Sequence, residues 1–131
     1  MFFLSLLIII SFSSNVSSDS SKLIKNLKIE KGFSIEIFVD NIDTPRQIAE
    51  SESGNIFVGS RNAGTISVID SNKDIRVIAK GLSNSTGVTY HDGDLYFSEV
   101  SSIWKILNID EALLSSEQMP EKVLVTNNLP S

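Results

Sequence analysis

Four side chains of this sequence are of types that could act in a binding or catalytic site. His91 is the single histidine among the 131 residues, and imidazole is the side chain best suited to act as a general base near neutral pH. Arg46 and Arg61 carry guanidinium groups, which bind carboxylates through paired hydrogen bonds. Glu99 follows Arg61 by 38 residues and could form an ion pair with it. The elements that position these residues decide which of them can share a site.

His91 stands in the segment YHDGD, whose Asp and Gly residues are typical of a turn between two strands. We therefore interpret it as a surface residue and do not predict it to be a catalytic base. The aspartates lie mostly in predicted turns and are too scattered for a calcium loop; they include Asp40, Asp43, Asp92, Asp94 and Asp110. The sequence itself thus predicts no catalytic residue and no metal site.

The composition is that of a globular domain and excludes several classes of function. With 41% hydrophobic and 21% charged residues, the chain can bury a core. The absence of cysteine excludes a disulfide scaffold, thiolate metal sites, cysteine nucleophiles and a lipid-modified cysteine. A formal net charge of −5 argues against nucleic acid as a partner, because the phosphates would repel the protein.

Residues 1–18 contain no charged side chain, and residues 2–12 are apolar apart from two serines. A membrane span needs about 20 apolar residues, and this run is about half as long. We interpret residues 1–18 as a secretory signal peptide with its cleavage site at residues 16–18. This predicts a secreted or periplasmic protein with no membrane contact after signal removal. A short uncleaved anchor is the alternative, because no Lys or Arg precedes the apolar run.

Residues 19–31 form a polar lead-in with a lysine at every third position from Lys22 to Lys31. Such a basic segment could contact anionic lipids. A solvated tether that runs into a first strand is the favoured interpretation. Residues 35–39 alternate apolar and polar side chains at their start, which is typical of a strand.

From residue 33 onward, short β-type runs repeat with nearly constant spacing. Three pairs of segments match at offsets of 39, 40 and 37 residues: 54–58 with 93–97, 39–42 with 79–82, and 66–69 with 103–106. The phrase at residues 79–82 starts again near residue 123, and a predicted helix over residues 109–118, ended by Pro120, accounts for the longer gap. The first unit holds four strand-like runs, at residues 46–49, 55–59, 65–69 and 75–79.

A repeat of about 40 residues with four strands is the sequence pattern of β-propeller blades. One blade has two apolar faces, which neighbouring blades must cover. We therefore predict an all-β partial propeller over residues 32–131, with blade 1 at about 33–80, blade 2 at about 81–126 and the first strand of a third blade at the end. Two blades cannot close a ring, so we expect the sequence to be an N-terminal fragment. A two-blade protein that oligomerises into a ring is the alternative.

The ordered motifs of these units resemble one protein family. The motifs are GFSIEIF at 32–38, PRQIA at 45–49, GNIFVGSR at 54–61, AGTI at 63–66, GL at 81–82, TGV at 86–88, DGDLY at 92–96, EV at 99–100 and NLP at 128–130. Together they resemble the start of the sorbosone dehydrogenase-like branch of the soluble glucose dehydrogenases, over nearly all of residues 27–131.

The resemblance implies an exported, six-bladed quinoprotein that uses pyrroloquinoline quinone (PQQ) to oxidise a sugar or aldehyde and passes the electrons to an acceptor. In this family the general base is a histidine shortly after the phrase matched by residues 128–130. The sequence ends at Ser131, so we expect it to lack the base and to be inactive alone. Calcium is implied for a complete homologue and not for this segment.

The resemblance also gives the two arginines a role. The predicted mouth of the propeller includes residues 44–46, 60–62, 85–86 and 99–101, and PQQ carries three carboxylates. Arg61 is therefore the first candidate for a PQQ contact and Arg46 the second. An ion pair that braces the loops, such as Arg61 with Glu99, is the alternative.

Two other functions remain open from the sequence. A non-catalytic exported propeller could bind a partner through the same face. A calcium-dependent lactonase-type propeller would need Glu and Asn ligands on its axial strands, and Arg46 and Gln47 on the first such strand count against it.

Overall fold

The computed structural model describes residues 18–115 and 119–130. The chain divides into two compact units, Met1–Asp40 and Asn41–Ser131. The predicted signal peptide, residues 1–18, lies outside the described residues except for Ser18. Within the described ranges, every helix is too short or too polar to cross a membrane.

The first unit contains a helix, α1 (Ser18–Lys25), and no strand among its described residues. The predicted lead-in therefore begins as a helix, and Lys22 and Lys25 lie in its last turn, where cations interact favourably with the helix dipole. The prediction of a strand at residues 35–39 is wrong, because the structure has no strand there. Alternation favours a strand only where a second strand pairs with it, and no pairing involves this run.

The second unit begins with a four-stranded antiparallel sheet, here called sheet 1. Its strands are β1 (Pro45–Glu50), β2 (Ile56–Ser60), β3 (Thr65–Ile69) and β4 (Ile75–Ala79), and they lie in the sheet in chain order. The four strands predicted for the first sequence repeat, at residues 46–49, 55–59, 65–69 and 75–79, are confirmed. Their β-branched residues suit a pleated, buried surface.

A second antiparallel sheet, sheet 2, has the same order and direction. Its strands are β5 (Val88–His91), β6 (Asp94–Ser98), β7 (Ile103–Ile106) and β8 (Val123–Thr126). A helix, α2 (Ile109–Ser115), interrupts the sheet between β7 and β8. The helix predicted over residues 109–118 is thus present as far as Ser115, and residues 116–118 lie outside the described residues.

The run that starts near residue 123 belongs to sheet 2. Val123 pairs with Lys105 and Leu124 with Trp104, so β8 is the fourth strand of this sheet. No strand follows β8 among the described residues. The structure therefore contains two complete four-stranded sheets, and the predicted first strand of a third blade is not among the described elements. The two sheets do not close a ring within the described chain.

The two sheets pack face to face through apolar side chains. Phe57, Ile66 and Val68 of sheet 1 are at most 4% exposed, as are Leu95 and Phe97 of sheet 2. All five belong to one continuous core cluster. The first strands of the two sheets, β1 and β5, are in contact. Burial of each inner face therefore depends on the other sheet.

A glycine permits the close approach of the two sheets. A Cβ atom at Gly59 of β2 would lie 2.8 Å from the carbonyl oxygen of Thr86, which belongs to the loop that leads into β5. Real Cβ atoms do not approach a backbone oxygen so closely. Ser98 of sheet 2 occupies the repeat position of Gly59. Its side chain prevents an equally close backbone approach to the face of sheet 2 that points away from sheet 1.

The outer face of sheet 2 is more polar than the corresponding face of sheet 1. Tyr96 and Lys105 occupy the repeat positions of Phe57 and Val68, and both are half-buried. The Lys105 ammonium lies 2.8 Å from the Asp94 carboxylate and 5.6 Å from the centre of the Tyr96 ring. This face lies opposite the one packed on sheet 1 because side chains alternate along a strand.

The edge strand β8 generates a prediction about association. Val123, Leu124 and Val125 are 41%, 42% and 49% exposed, and an exposed apolar edge strand pairs readily with other chains. We predict that residues 19–131 self-associate as the concentration rises and that Leu124→Lys reduces this association, as measured by light scattering. Leu114→Lys, at a residue of α2 that is 90% exposed, is the matched control and should have little effect. A monomer at every concentration, with a cooperative melt, would contradict the prediction.

Candidate functional site

The structure brings Arg46 and Arg61 to the same end of sheet 1. Arg46 is the second residue of β1, and Arg61 follows the last residue of β2. Pro45 pairs with Ser60, and the Arg61 backbone N–H donates to the Thr44 carbonyl at 3.3 Å. The strand register shifts between Pro45 and Gln47, and such a bulge redirects the side chain beside it.

Both guanidinium groups are accessible. Arg46 and Arg61 are exposed, and within the described part of the chain neither guanidinium has a hydrogen bond or an ion pair. We call this end of the two sheets the arginine edge, comprising residues 44–46, 60–64, 81–87 and 99–102. The prediction that the two arginines share one edge of the fold agrees with their positions.

Backbone hydrogen bonds join the loops of the arginine edge in a repeated pattern. The Leu82 N–H donates to the Gly64 carbonyl at 3.0 Å, and the Leu129 N–H donates to the Ser101 carbonyl at 3.1 Å. These two bonds occupy matching positions after sheet 1 and after sheet 2. The repeat read from the sequence is therefore present in the loops as well as in the strands.

Glu99 does not pair with Arg61 in the described structure. Its Oε1 atom accepts from the Ser83 backbone N–H at 2.8 Å, and its Oε2 atom accepts from the Trp104 indole N–H at 2.6 Å. The carboxylate thus ties the loop before β5 to strand β7. The alternative of an Arg61–Glu99 brace is wrong for the described structure, in which no ion pair joins the two residues and Glu99 accepts its hydrogen bonds within sheet 2 and its entry loop.

Trp104 is half-buried and packs against the core cluster, while the Lys122 ammonium lies 4.2 Å from the centre of its ring. A cation at this distance interacts favourably with the face of an indole. The Trp104 ring therefore packs partly against apolar side chains and partly against a lysine. The indole N–H is held by Glu99, which the sequence did not indicate.

Two buried hydroxyl groups lie in segments of the arginine edge. Ser60 and Ser85 are completely buried, and their Oγ atoms have no hydrogen-bond partner within the described residues. A buried polar atom left without a partner costs free energy. Because both side chains are completely buried, the accessible unused donors of this edge among the described residues are those of the two arginines.

The opposite end of the sheets holds a second polar group of residues, here called the Asp110 junction. Its members come from the β1–β2 turn and from the first turn of α2: Ser51, Ser53, Asn55 and Asp110. Asp110 Oδ1 accepts from Ser51 Oγ at 2.8 Å and from Asn55 Nδ2 at 2.9 Å. Burial raises the pKa of Asp110, but hydrogen bonds from Asn55, Ser53 and Ser51 together hold it below the usual value.

His91 lies at this same end of sheet 2, away from the arginine edge. It is the last residue of β5, its side chain is 74% exposed, and its nearest charged partner is the Asp92 carboxylate at 3.5 Å. The prediction of a surface position is confirmed. No group of three or more His, Cys, Asp or Glu residues that could hold a metal ion occurs in residues 18–115 and 119–130.

The Asp94–Lys105 ion pair anchors the start of β6 to β7 and to α2. The hydrogen bond from Lys105 and that from the Asn108 backbone N–H hold the pKa of Asp94 below its usual value. The same hydrogen bond to Asp94 raises the pKa of Lys105. Because both residues are on the outer face, this pair contributes polar character where the corresponding face of sheet 1 is apolar.

Comparisons with known proteins leave the family of the chain open. No protein-family model matches it. An uncharacterized protein of Borreliella burgdorferi is 35% identical over 104 residues, which cover 79% of this chain and 27% of that protein. The chain thus spans about a quarter of the length of this relative.

A solved structure, the PQQ-bound form of aldose sugar dehydrogenase from Streptomyces coelicolor, is similar over 69% of this chain and 32% of that chain. The sequence identity is 18% and the TM-score is 0.48. A TM-score below 0.5 does not establish a common fold. The function of this chain must therefore be inferred from its own sheets, edges and motifs.

The role of Glu99 generates a prediction. We expect Glu99→Gln to lower the free energy of unfolding by about 1–2 kcal/mol, because the amide can accept one of the two N–H groups but must turn its NH₂ towards the other. Urea unfolding followed by Trp104 fluorescence measures the change. Glu121→Gln, at an exposed carboxylate, is the control and should leave stability within about 0.5 kcal/mol of the unsubstituted chain. Equal effects of the two substitutions would contradict the prediction.

Proposed function

We propose that this chain is the N-terminal part of an exported, PQQ-dependent sugar or aldehyde dehydrogenase with a β-propeller fold. The motifs from residues 32–38 to 128–130 support the family, and two similar sheets packed face to face support the propeller. Six blades in the whole protein, with about two of them in this segment, form part of the proposal. A secreted or periplasmic location is proposed from the charge-free residues 1–18.

The position of Arg46 and Arg61 is the observation that carries this proposal. They are 15 residues apart in sequence, yet the β1–β2 hairpin brings both to one edge with their guanidinium groups unpaired among the described residues. PQQ has three carboxylates, and each guanidinium can bind one of them through two parallel hydrogen bonds. Arg61 is the principal contact in our proposal because it follows the strand end, and Arg46 is the second contact.

The described residues include groups that could bind the carboxylates of PQQ, but His91 is not placed to act as the base that the reaction needs. The two exposed arginines can hold and orient carboxylates, whereas the Oγ atoms of Ser60 and Ser85 are completely buried and offer no contact at the surface. PQQ, when bound, supplies a quinone carbonyl carbon that accepts a hydride from the substrate. His91 is no candidate at this edge for the base that takes the substrate's proton, since it lies at the other end of its strand.

The proposal assigns separate parts of the reaction to separate parts of a longer protein. This segment contributes two cations at the mouth, which would favour negative charge that develops on the quinone oxygens. The general base, the remaining cofactor contacts and the sites for sugar and electron acceptor belong to later blades in this proposal. Calcium, likewise, is proposed only for the complete protein.

Titration with PQQ tests the proposed contact. We predict that residues 19–131 bind PQQ in equilibrium dialysis, that Arg61→Ala weakens binding about tenfold through loss of a charge-assisted contact, and that Arg46→Ala weakens it less. Lys80→Ala, which removes an exposed cation just after the outermost strand of sheet 1, is the control and should leave binding unchanged. Equal weakening by all three substitutions would indicate non-specific attraction and contradict the assignment.

The same samples separate the dehydrogenase from its rival. With PQQ, a sugar and a redox dye, residues 19–131 should give no dye reduction, and turnover would contradict the placement of the base outside them. Absence of PQQ binding would instead favour a non-catalytic exported propeller that binds a different ligand. The exposed arginines would then remain the first residues to test for that ligand.

A further inference from the structure

The helix that interrupts sheet 2 is hydrogen-bonded to sheet 1 through side chains. α2 belongs by sequence to the connection between β7 and β8, yet three side-chain hydrogen bonds from sheet 1 end on it. Ser51 and Asn55 donate to Asp110 at 2.8 and 2.9 Å, and Arg76 donates to the Leu113 carbonyl at 3.2 Å. These bonds span between 37 and 59 residues of sequence.

The hydrogen bonds to α2 are made at its first turn and near its middle, so they hold the helix at two points along its axis. Asp110 is in the first turn and Leu113 is one turn later. Ile109 is completely buried in the core cluster, and Ala112 and Leu113 pack against that cluster. The helix therefore packs on the core through its apolar residues and is hydrogen-bonded to sheet 1 through Asp110 and Leu113.

A cleft of about 440 Å³ lies between α2 and the outer strands of sheet 1. Val68, Ile75 and Leu113 are among its apolar lining residues, and Asn55 and Asp110 line it at the junction. Any movement of α2 away from sheet 1 would open this cleft and expose its apolar lining to water. Such exposure is unfavourable, by about 25 cal/mol per Å² of apolar surface.

We propose that α2 acts as a strap that fastens sheet 2 to sheet 1, with Asp110 as the residue that closes it. The β1–β2 turn supplies the hydrogen-bond donors that hold Asp110. Ser51 Oγ also lies 3.0 Å from Ser53 Oγ, and Asn55 Nδ2 donates to Ser53 Oγ at 2.9 Å. This network holds the two donors in place for one carboxylate oxygen. At the arginine edge the sheets are joined by backbone contacts, so the strap fixes the opposite end.

Closure of the strap depends on a charged Asp110. The charged or titratable groups around it are Glu52 of the β1–β2 turn, Tyr90 of β5, Glu111 of α2 and, along the cleft, Asp70, Asp74 and Arg76. Burial raises the pKa of Tyr90, and the nearby carboxylates of Glu52 and Asp110 raise it further. The hydroxyl and amide groups of Asn55, Ser53 and Ser51 are the groups whose hydrogen bonds lower the pKa of Asp110.

The direction of the pH dependence follows from the lowered pKa of Asp110. A carboxyl group whose pKa is lower in the folded state stabilises the fold above its unfolded pKa, and this contribution is lost as the pH falls through the folded pKa. The strap should therefore remain closed at neutral pH and open only in acid, below the ordinary aspartate value of 3.8.

Amide hydrogen exchange on the full chain tests the strap. We expect Asp110→Ala to lower the protection of α2 amides and of the β1–β2 turn amides together, by about fivefold or more, with little change in the β2–β3 hairpin. Glu111→Ala, at an exposed neighbour on the same helix, is the matched control and should leave both segments protected. Unchanged protection in Asp110→Ala, or the same loss in Glu111→Ala, would overturn the proposal.

A second measurement covers the case in which Asp110→Ala does not fold. In the unsubstituted chain, protection factors of α2 corrected for intrinsic exchange should hold down to about pH 4 and fall as the pH is lowered further towards about 2. Asp110→Asn, which keeps the side-chain shape, should remove this step, whereas the Asp94–Lys105 pair still titrates in that variant. A step of equal size in Asp110→Asn would overturn the assignment of Asp110.

Discussion

The contact between the inner faces of the two sheets is the interaction on which the rest of the structure depends. Neither four-stranded sheet can bury Phe57, Val68, Leu95 or Phe97 without the other, because each sheet is one layer thick. The close backbone approach at Gly59 follows from the same contact. So does the position of α2, which closes the far end of the interface between the sheets.

This packing separates two kinds of polar chemistry at the two ends of the sheets. At the arginine edge, exposed guanidinium groups are left without partners in the described chain, as the binding of an anionic ligand requires. At the Asp110 junction, the donors are paired with one carboxylate, as a fastening requires. The same repeat thus presents free donors where we propose a cofactor and satisfied donors where we propose a strap.

The strands were predictable from the sequence because their spacing repeats. The four runs of sheet 1 and the helix that begins at Ile109 appear where turn residues and offsets placed them. The prediction of a strand at residues 35–39 was wrong, because alternation of apolar and polar residues does not show whether a second strand is available for pairing. Likewise, the repeat located β8 but did not reveal that its partner is β7.

The polar contacts were less predictable because their partners are distant in sequence. Asp110 is 59 residues from Ser51, and it lies in an insertion for which the first repeat has no counterpart. The role of Glu99 was also missed, because its repeat position suggested an ion pair with Arg61 and its actual partners, Ser83 and Trp104, lie in different elements.

A core substitution in one sheet, measured by a probe in the other, tests the face-to-face packing most directly. Trp104 lies in sheet 2, and Phe57 of sheet 1 is completely buried. Phe57→Ala should shift the Trp104 unfolding transition to lower urea, with a loss of about 3–5 kcal/mol in the free energy of unfolding, whereas Val77→Ala at an exposed position should not. A Trp104 transition that is unchanged by Phe57→Ala would show that the sheets fold independently and would contradict the account.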